Sequence, residues 1–133
     1  MAEITLQVET EVNPTEDVEK VKAAVLNLFA NLSVRIEPQR IRSILVAEAK
    51  TQQSLENFQA ALRRDRVRAA ARKLLHSSVK GNTISFYLNK QVAFVGHVSF
   101  SNETGECPLG PLKVVIETEN PRELIDWLAP RIA

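Results

Sequence analysis

Apolar and polar residues alternate strictly over residues 3–12, EITLQVETEV, where Ile4, Leu6 and Val8 face one way and Thr5, Gln7 and Glu9 the other. This period of two predicts a half-buried strand. In the NPTED that follows, Thr15 or Asn13 is placed to cap a helix, and acidic residues fall in its first turn, where the helix dipole favours them. Val18, Val21, Val25, Leu28, Phe29 and Leu32 recur at helical spacing, which predicts a helix running to about Ala30. Short strands are expected over 33–37, ending at Pro38, and over 43–49, SILVAEA.

The next helical region is out of phase with itself. At 100° per residue, Leu55, Phe58 and Leu62 share a face with Ala69, whereas Val67, Ala70, Ala71 and Leu74 define a face turned by more than a quarter circle. One straight helix cannot bury both stripes against one sheet. A break near residues 63–65 resolves the conflict, with Asp65 capping a second helix that ends near Val79 at a left-handed Gly81. Beyond it, 83–88 (TISFYL) and 92–100 (VAFVGHVSF) alternate as strands around a tight turn at NKQ, and KVVIET at 113–118 is a further strand. Asn120 caps a last helix, with Pro121 at its first position and Leu124, Ile125 and Leu128 inward. Grouped strands with helices between them predict a single α+β domain over residues 1–133: two layers, with a mostly antiparallel or mixed sheet and helices on one face.

Composition narrows the class without changing this picture. The chain is 44% hydrophobic and 25% charged, in the globular range, so a disordered or fibrous protein is excluded. Its apolar runs are too short to span a bilayer and no signal-peptide core follows the start, so no membrane partner is expected. The lone Cys107 has no partner for a disulfide or a zinc site, which fits a reducing, cytoplasmic compartment.

Charge changes the picture more. The net charge is +1, yet residues 62–75, LRRDRVRAAARKLL, hold six basic residues against Asp65, leaving −4 for the other 119 residues. Under the broken-helix reading Arg66, Arg68, Arg72 and Lys73 fall opposite Val67, Ala71 and Leu74. Arg68 and Arg72 form a like-charge i,i+4 pair, which disfavours an isolated helix and makes most sense if an anion neutralises it. Arginine predominates over lysine, as suits bidentate contact with phosphate. The bland alternatives are a solvated face, or counter-charges from the body or a second subunit.

Other chemistry is sparse. His76 lies at a helix end and His97 within an alternating stretch, neither at a metal-ligand spacing, so no metal and no cofactor is expected. No GxSxG, P-loop or GxGxxG occurs, and an enzyme is not the favoured reading. Phe86 alternates with Ile84 and Leu88 as a core residue, while Tyr87 falls with Thr83 and Ser85 and could face solvent. The loop 101–112, SNETGECPLGPL, is long for a hairpin, as functional loops often are. Trp127 is expected to pack at the sheet edge.

Taken together, LRRDRVRAAARKLL, YLNKQVAFVGHVSF, PLGPLKVVI and the closing LIDWLAP resemble an uncharacterised archaeal protein family. That family has been assigned an RNA-binding role, and its fold is similar to the large-subunit ribosomal protein that binds 5S rRNA. The resemblance is sharpest at Asn89-Lys90-Gln91, Leu109-Gly110-Pro111 and Trp127-Leu128-Ala129-Pro130, and Arg63, Arg66 and Arg72 match its arginine pattern. Gln is more usual in the family where this chain has Asp65, which would weaken the positive field at that turn. The resemblance and the charge bias together imply a non-catalytic RNA-binding domain, with Arg63, Arg64, Arg66, Arg68, Arg72 and Lys73 on phosphates and Lys90 a further contact. The rival reading is a homodimeric interaction module whose arginines pair with acidic groups such as Glu117, Glu119 and Glu123.

Overall fold

The computed structural model describes residues 4–101 and 111–130. Among these residues the strands are β1 (Ile4–Val12), β2 (Ser33–Pro38), β3 (Ser43–Ala49), β4 (Val79–Lys80), β5 (Thr83–Leu88), β6 (Phe100–Ser101) and β7 (Leu112–Thr118). The helices are α1 (Val18–Leu28), α2 (Glu56–Arg64), α3 (Arg68–Ser77), α4 (Lys90–Phe94) and α5 (Pro121–Leu128), with a 3-10 turn at Gln52–Leu55 leading into α2. Cys107 and most of the loop 101–112 lie outside the described residues.

The strands form one sheet in the order β2-β3-β1-β7-β5-β4, with β6 pairing the other end of the β5 edge that meets β4. Every pairing is antiparallel. The first and last long strands, β1 and β7, are therefore central neighbours. Alternation then decides the layers. Register places Leu6 opposite Ala49 and Ile116, and Val8 opposite Ala47 and Val114, so these side chains share one face and are buried. Gln7, Glu9, Lys113 and Glu117 take the other. The helices close the apolar face with Val21, Val25 and Leu28 from α1, Phe58 and Leu62 from α2, Ala71 and Leu75 from α3, and Leu124, Ile125 and Leu128 from α5. This is a two-layer α+β fold with helices over one face of an antiparallel sheet.

The break in the helical region is present: α2 stops at Arg64 and α3 starts at Arg68. Of the apolar stripe expected on the second helix, Ala71 is buried, Val67 and Leu74 are half-buried and Ala70 is exposed, while Leu75 supplies the second buried contact. Asn120 caps α5 as expected, its side chain accepting from the Glu123 amide.

Several local expectations are corrected. Asp17, not Thr15 or Asn13, caps α1 by accepting from the Glu19 amide at 2.9 Å. Asn13 instead donates from its backbone and side chain to the Glu16 carboxylate. Asp65 does not cap α3, whose N-cap is Val67 without a side-chain bond. Gly81 is left-handed (φ 61°) but turns the β4–β5 hairpin, because α3 has already ended at Ser77.

The largest departure is at 92–100, where alternation predicts a strand. The Asn89 carboxamide accepts from the Val92 amide at 3.0 Å and opens the short helix α4 in its place, so only Phe100–Ser101 pair with β5. A local side-chain cap defeats the period of two here.

Phe58 joins the layers. Its fully buried ring stacks between Phe29 of the α1 end (5.3 Å) and Phe86 of β5 (5.7 Å), and Phe100 meets Phe86 edge-on. Truncating it removes contacts to a helix and to the sheet together. Phe58→Ala should lower stability by about 3–5 kcal/mol, the usual range for a buried phenylalanine, as read from urea unfolding. A loss under ~1 kcal/mol would show that the ring does not couple the layers.

Candidate nucleic-acid interface

The corner between α2 and α3 has the geometry of a Schellman cap. The Val67 amide donates to the Leu62 carbonyl at 3.1 Å and the Arg66 amide to the Arg63 carbonyl at 3.2 Å, with Arg66 left-handed at φ 58°. These are the two bonds the motif requires, and Leu62 and Val67 supply its apolar contact. The position Arg66 occupies normally belongs to glycine. The end of α4 shows the ordinary choice: the His97 amide donates to the Val92 carbonyl, the Gly96 amide to the Ala93 carbonyl, and Gly96 has φ 84°. A side chain in this conformation costs roughly 1–2 kcal/mol against glycine's freedom from steric conflict.

Arg68 is also placed against its own interest. It is the first residue of α3, which opens without a side-chain cap and without an acidic residue in its first turn. A cation there faces the positive end of the helix dipole. Arg63, by contrast, lies in the last turn of α2, where the dipole favours it.

The structure divides the expected cations into two groups. Arg63, Arg66, Arg68 and Lys73 form no ion pair among the described residues. Arg63, Arg66 and Lys73 are exposed and Arg68 is half-exposed. The rest are engaged. Arg72, expected well inside the outward face, turns onto α5, meeting Asp126 at 2.6 Å and the Ala129 carbonyl at 3.2 Å. Arg64 donates to Asp65 and to the Gly96 carbonyl.

Lys90 departs furthest from expectation. As the first residue of α4 it points inward, and its amine reaches the Glu11 carbonyl at 2.7 Å and the Glu16 carboxylate at 3.1 Å. Only 5% of the Lys90 side chain and 9% of Glu16 is exposed. Burial alone would raise the Glu16 pKa, but hydrogen bonds from Asn13 and the neighbouring Lys90 ammonium bring it below its ordinary value. This cation is held in place on the end of β1, and it is not part of the α2–α3 surface.

Asp65, which sequence reading made a helix cap, fastens the corner to the loop after α4. Its carboxylate accepts from the Val98 amide (2.9 Å), His97 Nδ1 (2.9 Å) and Arg64 Nε (3.1 Å). Burial pushes its pKa up, but these three donors outweigh it and hold the carboxyl at about 2. A helix-terminal aspartate carries no sequence signal for a partner so distant in the chain.

Beside the corner, Gln59, Arg63 and Arg68 line a cleft of about 220 Å³ with Leu128 and Pro130 at the end of α5. The Gln59 amide nitrogen donates to the Trp127 carbonyl at 2.7 Å. Sequence reading missed Gln59, an isolated polar residue on an amphipathic helix. Among the described residues no cluster of His, Cys, Asp and Glu could hold a metal ion, and no helix is long and apolar enough to cross a membrane.

Residues 5–118 match a family model described as RNA binding. The UPF0201 protein of Sulfurisphaera tokodaii is 48% identical over 126 residues, covering 95% of this chain and 87% of that protein. The chain belongs to the UPF0201 family. Another member, from Pyrobaculum calidifontis, is 42% identical over 91% of this chain and 85% of its own length. The fold agrees with that of a solved UPF0201 protein from Methanococcus jannaschii, with a TM-score of 0.85 and 31% identity, covering 95% of this chain and 99% of the other.

Two outcomes follow from the buried groups of this UPF0201 chain. Asp65 has a lowered pKa, so its contribution to stability is complete above its ordinary value of 3.8 and is lost as pH falls through about 2. Asp65→Asn should therefore lower the urea midpoint at neutral pH and flatten its decline across that acid window; an unchanged pH profile would contradict the latch. Lys90→Met leaves Glu16 without its cation and should cost about 3–5 kcal/mol, as breaking a buried pair does. Urea unfolding reads the loss, and an unchanged midpoint would contradict the buried pair.

Proposed function

We propose that this UPF0201 chain binds RNA through its phosphates at the α2–α3 corner, with Arg63, Arg66, Arg68 and Lys73 as the contacts and without catalysis. The observation that carries the reading is Arg66: an exposed arginine in a left-handed cap position where α4 uses Gly96. Among the described residues no ion pair repays this residue for its backbone conformation. An anionic partner does. Arg68 at the positive end of α3 points the same way, and the uncapped amides there add to the field that a phosphate would meet. The family description as RNA binding makes nucleic acid the natural source of that phosphate. The expected likeness to the 5S-rRNA-binding ribosomal protein would be an analogy of fold and adds no contact of its own.

Arg64 and Arg72 are left out of the set because they already have carboxylate partners, Asp65 and Asp126. The same pairs reduce the need for a second subunit to neutralise the segment, so the homodimer reading is the weaker one.

Four phosphate contacts on a single strand give a log–log salt slope of about −3, at roughly −0.7 per contact, and an affinity fall on the order of fiftyfold between ~50 and ~200 mM salt. Arg66→Gly separates function from folding. It should leave stability unchanged or raise it by up to about 1 kcal/mol, while lowering RNA affinity and reducing the slope to about −2. Urea unfolding and filter binding over a salt series supply both readouts. A variant that is more stable and binds equally well would sink the reading, as would a wild-type slope near zero.

A further inference from the structure

The α2–α3 corner accounts for phosphate contacts, which position a strand without reading it. The adjoining cleft has different chemistry. Two guanidiniums without an ion pair, Arg63 and Arg68, stand beside the exposed ring of Pro130, which is the apolar surface of the cleft, with Leu128 buried beneath it. The third component is the Gln59 carboxamide, whose orientation follows from its surroundings. Its nitrogen must face the Trp127 carbonyl, because two oxygens cannot share a hydrogen bond, and so Oε1 is the end turned away. Oε1 has no partner among the described residues. Cation, apolar surface and a fixed acceptor are the three features that a nucleotide's phosphate, base and base edge require.

Size sets the limit on what enters. At about 220 Å³ the cleft is smaller than the ~300–1,000 Å³ typical of pockets that enclose a drug-sized ligand. It has room for one nucleotide in part, and none for stacked neighbours or a paired base. In an A-form duplex the amino groups of cytosine and adenine are paired or lie in a deep, narrow groove that side chains cannot read, so the occupant must be unpaired.

We propose that the cleft seats one unpaired nucleotide of an RNA strand, with its phosphate across Arg63 and Arg68, its base against Pro130, and an exocyclic amino group donating to Gln59 Oε1. The proposal rests on the RNA-binding reading and extends it: Gln59 is a specificity-determining residue. Cytosine, adenine and guanine carry an exocyclic amino group. Uracil presents a carbonyl oxygen where cytosine has its amino group, and that oxygen would oppose Oε1. The chain therefore selects single strands with an amino-bearing base at one position.

The test compares labelled rC12, rU12 and a 12-mer of the pyrimidin-2-one ribonucleoside, which lacks the 4-amino group, by fluorescence anisotropy on the full chain. The three carry equal charge. rC12 should bind about fivefold tighter than either of the others, the equivalent of ~1 kcal/mol for one neutral hydrogen bond. Gln59→Met, close in size and without the acceptor, should bring rC12 to the level of rU12 while preserving the salt slope of about −3 expected for four contacts. The pyrimidin-2-one arm uses the wild-type chain, so the outcome does not depend on that variant folding. Equal affinity for all three strands with the slope intact overturns the cleft and leaves phosphate binding standing. Tighter binding of a duplex than of rC12 also overturns it. Cytidine monophosphate binding as tightly as rC12 would replace the strand with a free nucleotide as the ligand. No RNA binding at any salt would remove the broader reading as well.

Discussion

The sheet of this protein has a single apolar face, and most of what is distinctive in the fold follows from it. Ile4, Leu6 and Val8 of β1 and Val114 and Ile116 of β7 point to one side, and the opposite side is lined with Gln7, Glu9, Lys113 and Glu117. The apolar stripes of the longer helices must therefore reach the same surface. Phe58 and Leu62 satisfy this on α2, but the stripe of the following residues is rotated away from them, so the chain has to turn before Ala71 and Leu75 can be buried. The corner is a consequence of that mismatch in phase. Its basic residues are carried out to the surface by the turn itself.

The manner of turning sets the backbone's preference against the residue the chain places there. Both α2 and α4 end in the same pair of hydrogen bonds, and α4 uses the residue that suits the conformation best. With arginine at that position, α2 keeps the geometry at a backbone cost. The surroundings hold it there: Asp65 fastens the corner to Val98 and His97, and Arg72 ties α3 to the end of α5 through Asp126 and the Ala129 carbonyl. Such over-determination is what allows an unfavourable backbone conformation to persist at a site. The cations that fasten the corner and those left facing solvent are interspersed along one short segment. A uniform basic stripe would not have required this division.

Lys90 shows how misleading charge can be without burial. In a tight turn between strands a lysine is an ordinary exposed residue. Here Asn89 caps a helical turn, the amine swings under it, and the ammonium meets the Glu16 carboxylate and a β1 carbonyl in a nearly dry environment. The stretch after it alternates as a strand should, yet Ala93 is buried from a helix while Phe94 and Val95 remain exposed. Period-two patterning over a few residues is weak evidence when a side-chain cap competes for the backbone.

The sequence by itself determined the long strands, the break between α2 and α3, the Asn120 cap and the two-layer α+β arrangement. Each is encoded locally, in a period of two, a shift of helical phase or a capping side chain, and needs no knowledge of distant residues. It also marked residues 62–75 as the basic segment, and the resemblance pointed to the family. Only the tertiary structure decided which of those cations remain available. Arg72 is engaged because α5 packs beside α3 and brings the Ala129 carbonyl to it from 57 positions away in the chain. Asp65 changes from a helix cap to a latch because the loop after α4 presents the Val98 amide to it from 33 positions away. Gln59 lines a cleft only because α5 ends against α2. Charge and periodicity are properties of the chain, whereas a side chain's partner depends on which elements the packing sets side by side.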